Sequence, residues 1–353
     1  MFKGLKPIVY GGREVWPLVE GGKGVAVSNH ASSGAWAAAG GIGTVSAVNA
    51  DSYDSMGNII PQIYHGRTRR DRHEELIAYA IDGAVEQVKR AYEIAGGKGA
   101  ININVLWEMG GAQRVLHGVL EKTKGMVAGV TCGAGMPYKL SEIAASYNVS
   151  YLPIVSSGRA FRALWKRAYS KASEWLGAVV YEDPWLAGGH NGLSNAEDPR
   201  APQDPYPRVA AVRETMRAEG IADDVPIVMA GGVWYLRDWE NWIDNPELGS
   251  IAFQFGTRPL LTEESPIPQG WKDALRELGV PLLGPLADLW SEVRRRVRVD
   301  DDEASVPAAA ALEHVEQAIA PHIKDDGHER EIHDRHGDPT APEVRLRPTY
   351  FIA

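Results

Sequence analysis

Short apolar runs alternate with helical or turn-like segments eight times along this chain, and that alternation limits the fold more than any other feature. The runs are Val25–Ser28, Thr44–Ala47, Ala100–Leu106, Met126–Thr131, Val149–Val155, Val179–Tyr181, Val225–Ala230 and Ser250–Phe255. Helical segments follow at Gly34–Ala39, 71–95, Gly110–Lys122, Tyr138–Tyr147, Phe161–Leu176, Arg208–Glu219 and Leu236–Ile243. A short helical start at Arg258–Thr262 follows the eighth run, and Trp271–Leu278 reads as a further helix. The segment 71–95 is clearest, because Leu76, Ile77, Ala80, Ala84, Val88 and Ala91 recur at helical spacing among charges. Strand–helix alternation implies a parallel sheet with helices outside, and eight such units predict a closed (β/α)8 TIM barrel. An open doubly wound sheet is the alternative. It lacks its usual fingerprint here, since Gly40-Gly41-Ile42-Gly43 precedes a strand instead of following one.

The barrel pattern predicts one domain over 1–280, followed by a charged extension over 281–353, partly helical or loosely ordered. The extension holds a basic run at Val293–Arg298, an acidic run at Asp300–Glu303 and an amphipathic stretch at Ala308–Ile319. Its His328, His333 and His336 stand among charges and Gly/Pro residues and read as solvated. The single cysteine, Cys132, excludes an internal disulfide and any multi-cysteine zinc or iron–sulfur site. A net charge of −9 argues against a nucleic-acid surface. No apolar run reaches the length of a membrane span and the first residues lack a signal-peptide core, so a cytoplasmic setting without membrane partner is expected.

Barrels work at the C-terminal ends of their strands and often hold a phosphate after the seventh and eighth. Here Gly231-Gly232 ends the seventh run, and Gly256-Thr257 ends the eighth before a helical turn. Backbone amides at such turns attract an anion, and Thr257 adds a hydroxyl. Taken singly, glycines at strand ends are ordinary turn residues. A third pair, Gly188-Gly189, follows the sixth run and precedes His190. Glycines let the backbone approach a flat or anionic ligand, and an imidazole there can accept a proton near neutral pH.

Asn102 and Asn104 share one face of the third run, opposite Ile101, Ile103 and Val105. Two inward carboxamides need partners, either each other or the polar edge of a heteroaromatic cofactor. Trp107, Trp185 and Trp234 each lie just past a strand end, as core fillers or as walls of an apolar pocket.

The stretches Ala187–Gly192 (AGGHNG), Ile227–Gly232 (IVMAGG), Phe253–Thr257 (FQFGT) and Thr262–Ser265 (TEES) resemble the nitronate monooxygenases, formerly 2-nitropropane dioxygenases, which are FMN-dependent barrel oxidoreductases. Residues 28–47 look like that family's opening helix running into Gly-Gly-x-Gly. The resemblance implies FMN and no metal, a small nitronate or nitroalkane substrate and O2. It implies His190 as catalytic base and Asn102 as the third-strand flavin contact. Gly188 and Gly189 match the pair approaching the ring, Gly231 and Gly232 the phosphate glycines, and Gln254, Gly256 and Thr257 the Gln-x-Gly-Thr element. Asp183 stands where the family usually has glutamine and, with Asn104, is expected among the cofactor-binding residues; Leu186-Ala187 stands where the family has Glu-Ala. The family's Pro-Met opening of the first strand is read here at Val25-Ala26-Val27.

Flavin enoyl reductases, which use NAD(P)H and an acyl-carrier substrate, share these motifs and remain an alternative. A barrel that binds FMN without catalysis is a third reading. A homodimer is one assembly open to the chain.

Overall fold

The computed structural model describes residues 4–188, 193, 197–198 and 201–277. Eight parallel strands close a barrel: β3 (Leu18–Glu20), β4 (Ile42–Ser46), β5 (Ala100–Leu106), β6 (Gly129–Gly133), β7 (Ser150–Val155), β8 (Val179–Glu182), β9 (Ile227–Ala230) and β10 (Ile251–Phe255). β10 returns to β3, with Phe253 opposite Leu18 and Phe255 opposite Glu20. The helices α1 (His30–Ala38), α2 (Arg69–Ala95), α3 (Ala112–Lys122), α4 (Leu140–Ser146), α5 (Gly158–Arg167) and α6 (Pro205–Ala218) follow strands in turn, and α7 (Gln269–Glu277) comes last. The (β/α)8 architecture expected from the alternation is the one observed. The C-terminal extension lies outside the described residues.

Alternate residues of each strand divide between two cores. Val45, Ile101, Ile103, Val130, Cys132, Tyr151, Val179, Tyr181, Met229 and Phe253 pack outward against the helices. Val19, Ile42, Ala100, Leu152, Val180, Val228 and Ala252 fill the barrel. Helix α2 shows how sequence sets an element. Thr68 and Asp71 form a reciprocal capping box at its start. Ile77, Ala80, Ala84, Val88, Ala91 and Ala95 then form its buried stripe.

The first barrel strand differs from the expectation. It is Leu18–Glu20, and Val25–Ser28 lies in turns. The amides of Val27 and Ser28 both donate to the Lys23 carbonyl, and Ala26 has φ +57°, so these residues curl instead of extending. Val25-Ala26-Val27 is the more apolar stretch, whereas the true strand is three residues long and ends in a glutamate. That glutamate is accommodated because it meets Lys23 and Ser32 outside the barrel. Asn29 is also not plain loop. It caps α1, its Oδ1 accepting from Ser32 N at 3.1 Å, so the helix starts four residues earlier than the apolar pattern suggested. Leu236–Trp242 is a pair of 3-10 turns with a break at Trp239 rather than a regular helix.

The antiparallel hairpin of β1 (Ile8–Tyr10) and β2 (Arg13–Val15) precedes the barrel and was not anticipated. It closes the N-terminal mouth. A side chain at Gly11 would touch Ala128 at 3.0 Å, and one at Gly177 would touch the Tyr10 ring at 2.8 Å, both next to strand starts. Tyr10 and Val15 thereby join the interior core. No helix among the described residues is long and apolar enough to cross a membrane.

Candidate active site

Of the expected site residues, Asp183, Gly231, Gly232, Gly256 and Thr257 follow directly on the C-terminal ends of β8, β9 and β10. Asp183 N donates to the Ala230 carbonyl at 2.9 Å, tying the end of β8 to the end of β9. Directly beyond, Gly231 and Gly232 have φ +98° and +69°. A Cβ at Gly231 would stand 2.8 Å from Ala187 N, and one at Gly232 would stand 2.9 Å from Leu186 Cδ1. Both backbone conformations favour glycine, and at Gly231 the nearby backbone leaves no space for a side chain either. The segment leading to Gly188 is packed on the glycine pair of the neighbouring strand. Gly189 and His190 lie outside the described residues.

The amides of Gly231, Gly232, Gly256 and Thr257 donate to no acceptor among the described residues. Gly256-Thr257 leads directly into the 3-10 turn Arg258–Leu261. Amides at strand ends, before a turn of helical sense, are the kind of group that can hold an anion. Gln254, two residues earlier, is half-buried and paired in register with Val19 and Ala230. Val19 and Ala230 belong to the interior core.

Sequence reasoning missed the contribution of the first strand. Gly21-Gly22 follows Glu20 on the same rim. A side chain at Gly21 would meet the Gln254 amide at 3.3 Å, and one at Gly22 would overlap Asn104. A Gly-Gly pair after an apolar run was the available signal, hidden by the misplaced strand. Glu182 was also passed over. Val180 lies in the interior core, so Glu182, two residues on, faces the same side at the rim.

The two asparagines are buried, and each finds its own partner instead of pairing with the other. Asn102 Oδ1 accepts from the Tyr10 hydroxyl at 2.8 Å, while its Nδ2 has no partner. Its register neighbour Thr44 likewise has an unpartnered Oγ1. Asn104 lies one layer nearer the rim, opposite Thr131, and its Nδ2 donates to the Gly22 carbonyl at 3.1 Å. Asp183 is fully buried with its carboxylate committed to the local chain. Oδ1 accepts from Trp185 N and Leu186 N, each at 2.9 Å, and Oδ2 accepts from the Tyr181 hydroxyl at 3.1 Å. That turn directs the chain back over β9 toward Gly188.

Lys23 and Glu20 form a buried pair at 3.2 Å below the glycine turn. Lys23 Nζ also donates to the Gly21 carbonyl at 2.8 Å, and the Ser32 hydroxyl donates to Glu20 Oε1 at 2.8 Å. Burial pulls the Lys23 pKa below the usual lysine range, and the adjacent Glu20 charge and hydrogen bond offset part of that. Cys132 is fully buried on the helix side, and burial pushes its thiol pKa up, so it is unsuited to a nucleophilic role. Among the described residues no three His, Cys, Asp or Glu side chains group as a metal site. Trp107 packs against the outer core, Trp234 against Leu260 and Leu261, and Trp185 under Arg208.

Flavin chemistry can be tested against this geometry. A flavin nucleotide needs an anion cradle, glycine-lined backbone for close approach and polar groups for its ring edge. The rim supplies the cradle at four amides, close approach at Gly21, Gly22, Gly231 and Gly232, and Gln254 beside them. The residues present fit the group.

The family model for nitronate monooxygenase matches residues 13–281, most of the chain. No curated protein sequence matches. Among solved structures, FabK from Thermotoga maritima is similar at 20% identity and TM-score 0.51, covering 90% of this chain and 94% of its own. Nitroalkane oxidase from Streptomyces ansochromogenes is similar at 18% identity and TM-score 0.49, covering 86% of this chain and 96% of its own. At such identity FabK speaks for the fold alone. The family match, spanning the barrel and every glycine turn of its rim, makes this chain a member of the nitronate monooxygenase family of flavin-dependent oxidoreductases.

Proposed function

We propose that the protein binds FMN at the C-terminal rim and oxidises alkyl nitronates or nitroalkanes to a carbonyl compound and nitrite, with O2 as co-substrate. The observation that carries the reading is the packing of Leu186-Ala187 on Gly231-Gly232, next to the open amides of Gly256 and Thr257. One cradle of that kind suits a nucleotide with a single phosphate. When bound, FMN would supply electron transfer between substrate and dioxygen.

The chain's own residues perform the other tasks. Gly231, Gly232, Gly256 and Thr257 hold the phosphate through amides, with the Thr257 hydroxyl as a further donor. Gln254 and Asn104 are the carboxamides nearest the rim, and Asn102, whose Nδ2 is unpartnered, lies one layer deeper. His190, three residues beyond Ala187, takes the acidic α-proton of a neutral nitroalkane. A carbon acid needs a positioned acceptor whose pKa lies near the working pH.

An absorbance spectrum of the purified protein tests the cofactor. Oxidised-flavin bands with FMN released on denaturation are expected. A colourless protein that FMN cannot reconstitute overturns the reading. His190→Asn is expected to lower kcat/KM for neutral nitroethane by about 10²–10⁴-fold while retaining FMN and sparing ethyl nitronate. Unchanged turnover of nitroethane removes His190 from the mechanism. Anaerobic NADH-dependent reduction of an enoyl thioester, with no aerobic use of nitronate, assigns the protein to enoyl reduction instead.

A further inference from the structure

The side chain of Arg258 is buried, and it joins the loop leaving β9 to the turn leaving β10. Arg258 opens the 3-10 turn Arg258–Leu261, one residue past Thr257. Its Nη1 donates to the Trp234 carbonyl at 2.6 Å, across 24 positions of sequence. Trp234 stands two residues past Gly232. The guanidinium carbon also lies 5.8 Å from the Trp234 ring centroid and 5.0 Å from that of Tyr235. The two loops leave neighbouring strands at one level, because Ala230 is paired in register with Gln254. Apolar packing runs alongside the polar contact, since Trp234 rests on the cluster that holds Leu260 and Leu261 of the turn. The segment after the turn is held separately by Lys272 of α7. Its Nζ donates to the carbonyls of Thr262 at 2.7 Å and Ser265 at 3.0 Å. With that end anchored, the contacts of Arg258 set where the front of the turn meets the β9 loop.

We propose that Arg258 is a positioning residue for the phosphate end of the flavin. It locks the β9 loop to the β10 turn and so fixes the spacing between Gly231-Gly232 and Gly256-Thr257. The inference rests on the reading of that rim as the FMN site. A phosphate shared between two loops binds tightly only when both are already in place, because ordering them on binding costs affinity. Arginine suits the task. Its planar fork donates in a fixed direction while its face lies against aromatic rings. A lysine at this position could keep a bond to the Trp234 carbonyl, but it has no flat face to stack. Riboflavin shares the ring and ribityl chain of FMN and lacks the phosphate, so it is the internal control.

Full-length protein freed of flavin is titrated with FMN and with riboflavin, followed by flavin fluorescence. The unmodified chain is compared with Arg258→Met, Arg258→Lys and Tyr235→Leu. Arg258→Met is expected to raise the Kd for FMN by about 10–100-fold, the scale of a lost charge-assisted hydrogen bond, and that for riboflavin by less than about threefold. Arg258→Lys should recover only part of the FMN affinity. Tyr235→Leu removes one stacked ring and leaves the guanidinium bond, so it should weaken FMN by about 3–10-fold and leave riboflavin unchanged. It also keeps the test open if Arg258→Met does not fold. Equal weakening of both flavins, unchanged FMN affinity in Arg258→Met, or full affinity in Arg258→Lys overturns the positioning role. Amide hydrogen exchange supplies a readout that needs no flavin: residues 231–235 and 256–261 should exchange faster in Arg258→Met, and unchanged exchange overturns the link between the loops. An unmodified protein that takes up neither flavin overturns the reading of the rim as the cofactor site, and the phosphate role of Arg258 with it.

Discussion

The hydroxyl of Tyr10 donates to Asn102 Oδ1 at 2.8 Å in the floor of the barrel, joining the N-terminal hairpin to the third barrel strand across 92 positions of sequence. Burial raises the Tyr10 pKa above the usual tyrosine value, although the bond to Asn102 lowers it in part. The phenol is neutral and acts as a donor. It satisfies one end of a carboxamide that the barrel would otherwise bury unpaired.

Tyr10→Phe removes that donor without emptying the mouth. It is expected to destabilise the protein by about 1–3 kcal/mol, the cost of leaving a buried acceptor unsatisfied. Flavin binding at the opposite rim should change little. Urea unfolding of the loaded protein, followed by circular dichroism, measures the first, and flavin titration measures the second. A drop in flavin affinity larger than the loss of stability would place Asn102 in direct contact with the cofactor.

Glu20 and Lys23 make a different kind of buried pair, sealed between the glycine turn and α1. Removing one partner leaves an uncompensated charge, so Lys23→Met is expected to cost about 3–5 kcal/mol. Replacing both, as Glu20→Gln with Lys23→Met, should recover much of that loss, because Ser32 can still donate to the amide oxygen of glutamine. The three unfolding free energies form a double-mutant cycle. A double variant as unstable as Lys23→Met alone would show that the loop, rather than the charge balance, depends on the lysine.

Gly231→Ala places a methyl group 2.8 Å from Ala187 N on a backbone at φ +98°. A loss of about 1–3 kcal/mol in stability is expected. The affinity for FMN should fall as well, because relief of the clash moves the chain that forms the cradle. Gly220→Ala, at φ +78° but with nothing within 4 Å, is the control. It shares the backbone penalty and should leave FMN affinity intact. Equal FMN affinity in both variants would remove the Gly231 turn from the cofactor site.

Seven of the eight barrel strands, and most of the helices between them, were legible in the sequence because the information for them is local; Tyr169–Trp175 and Leu236–Trp242 form 3-10 turns where helix was expected. Alternation marks a strand with an inside and an outside, and a 3.6-residue stripe marks a helix such as α2. The positions of Gly231-Gly232 and Gly256-Thr257 at the ends of two barrel strands were legible for the same reason, once the units were counted through. Three features needed tertiary structure. The first strand is three residues ending in a glutamate that only a neighbouring lysine and serine make tolerable. The hairpin that plugs the floor is defined by where Tyr10 lands. The contacts of Arg208 exist only where Ser156, Tyr181, Trp185 and Glu197 meet. By itself the sequence determined the period, the number of units and the flexible turns, which short stretches encode. Only the folded chain decided which buried polar group meets which partner, because closing a barrel brings together residues whose separation in sequence carries no trace of their contact.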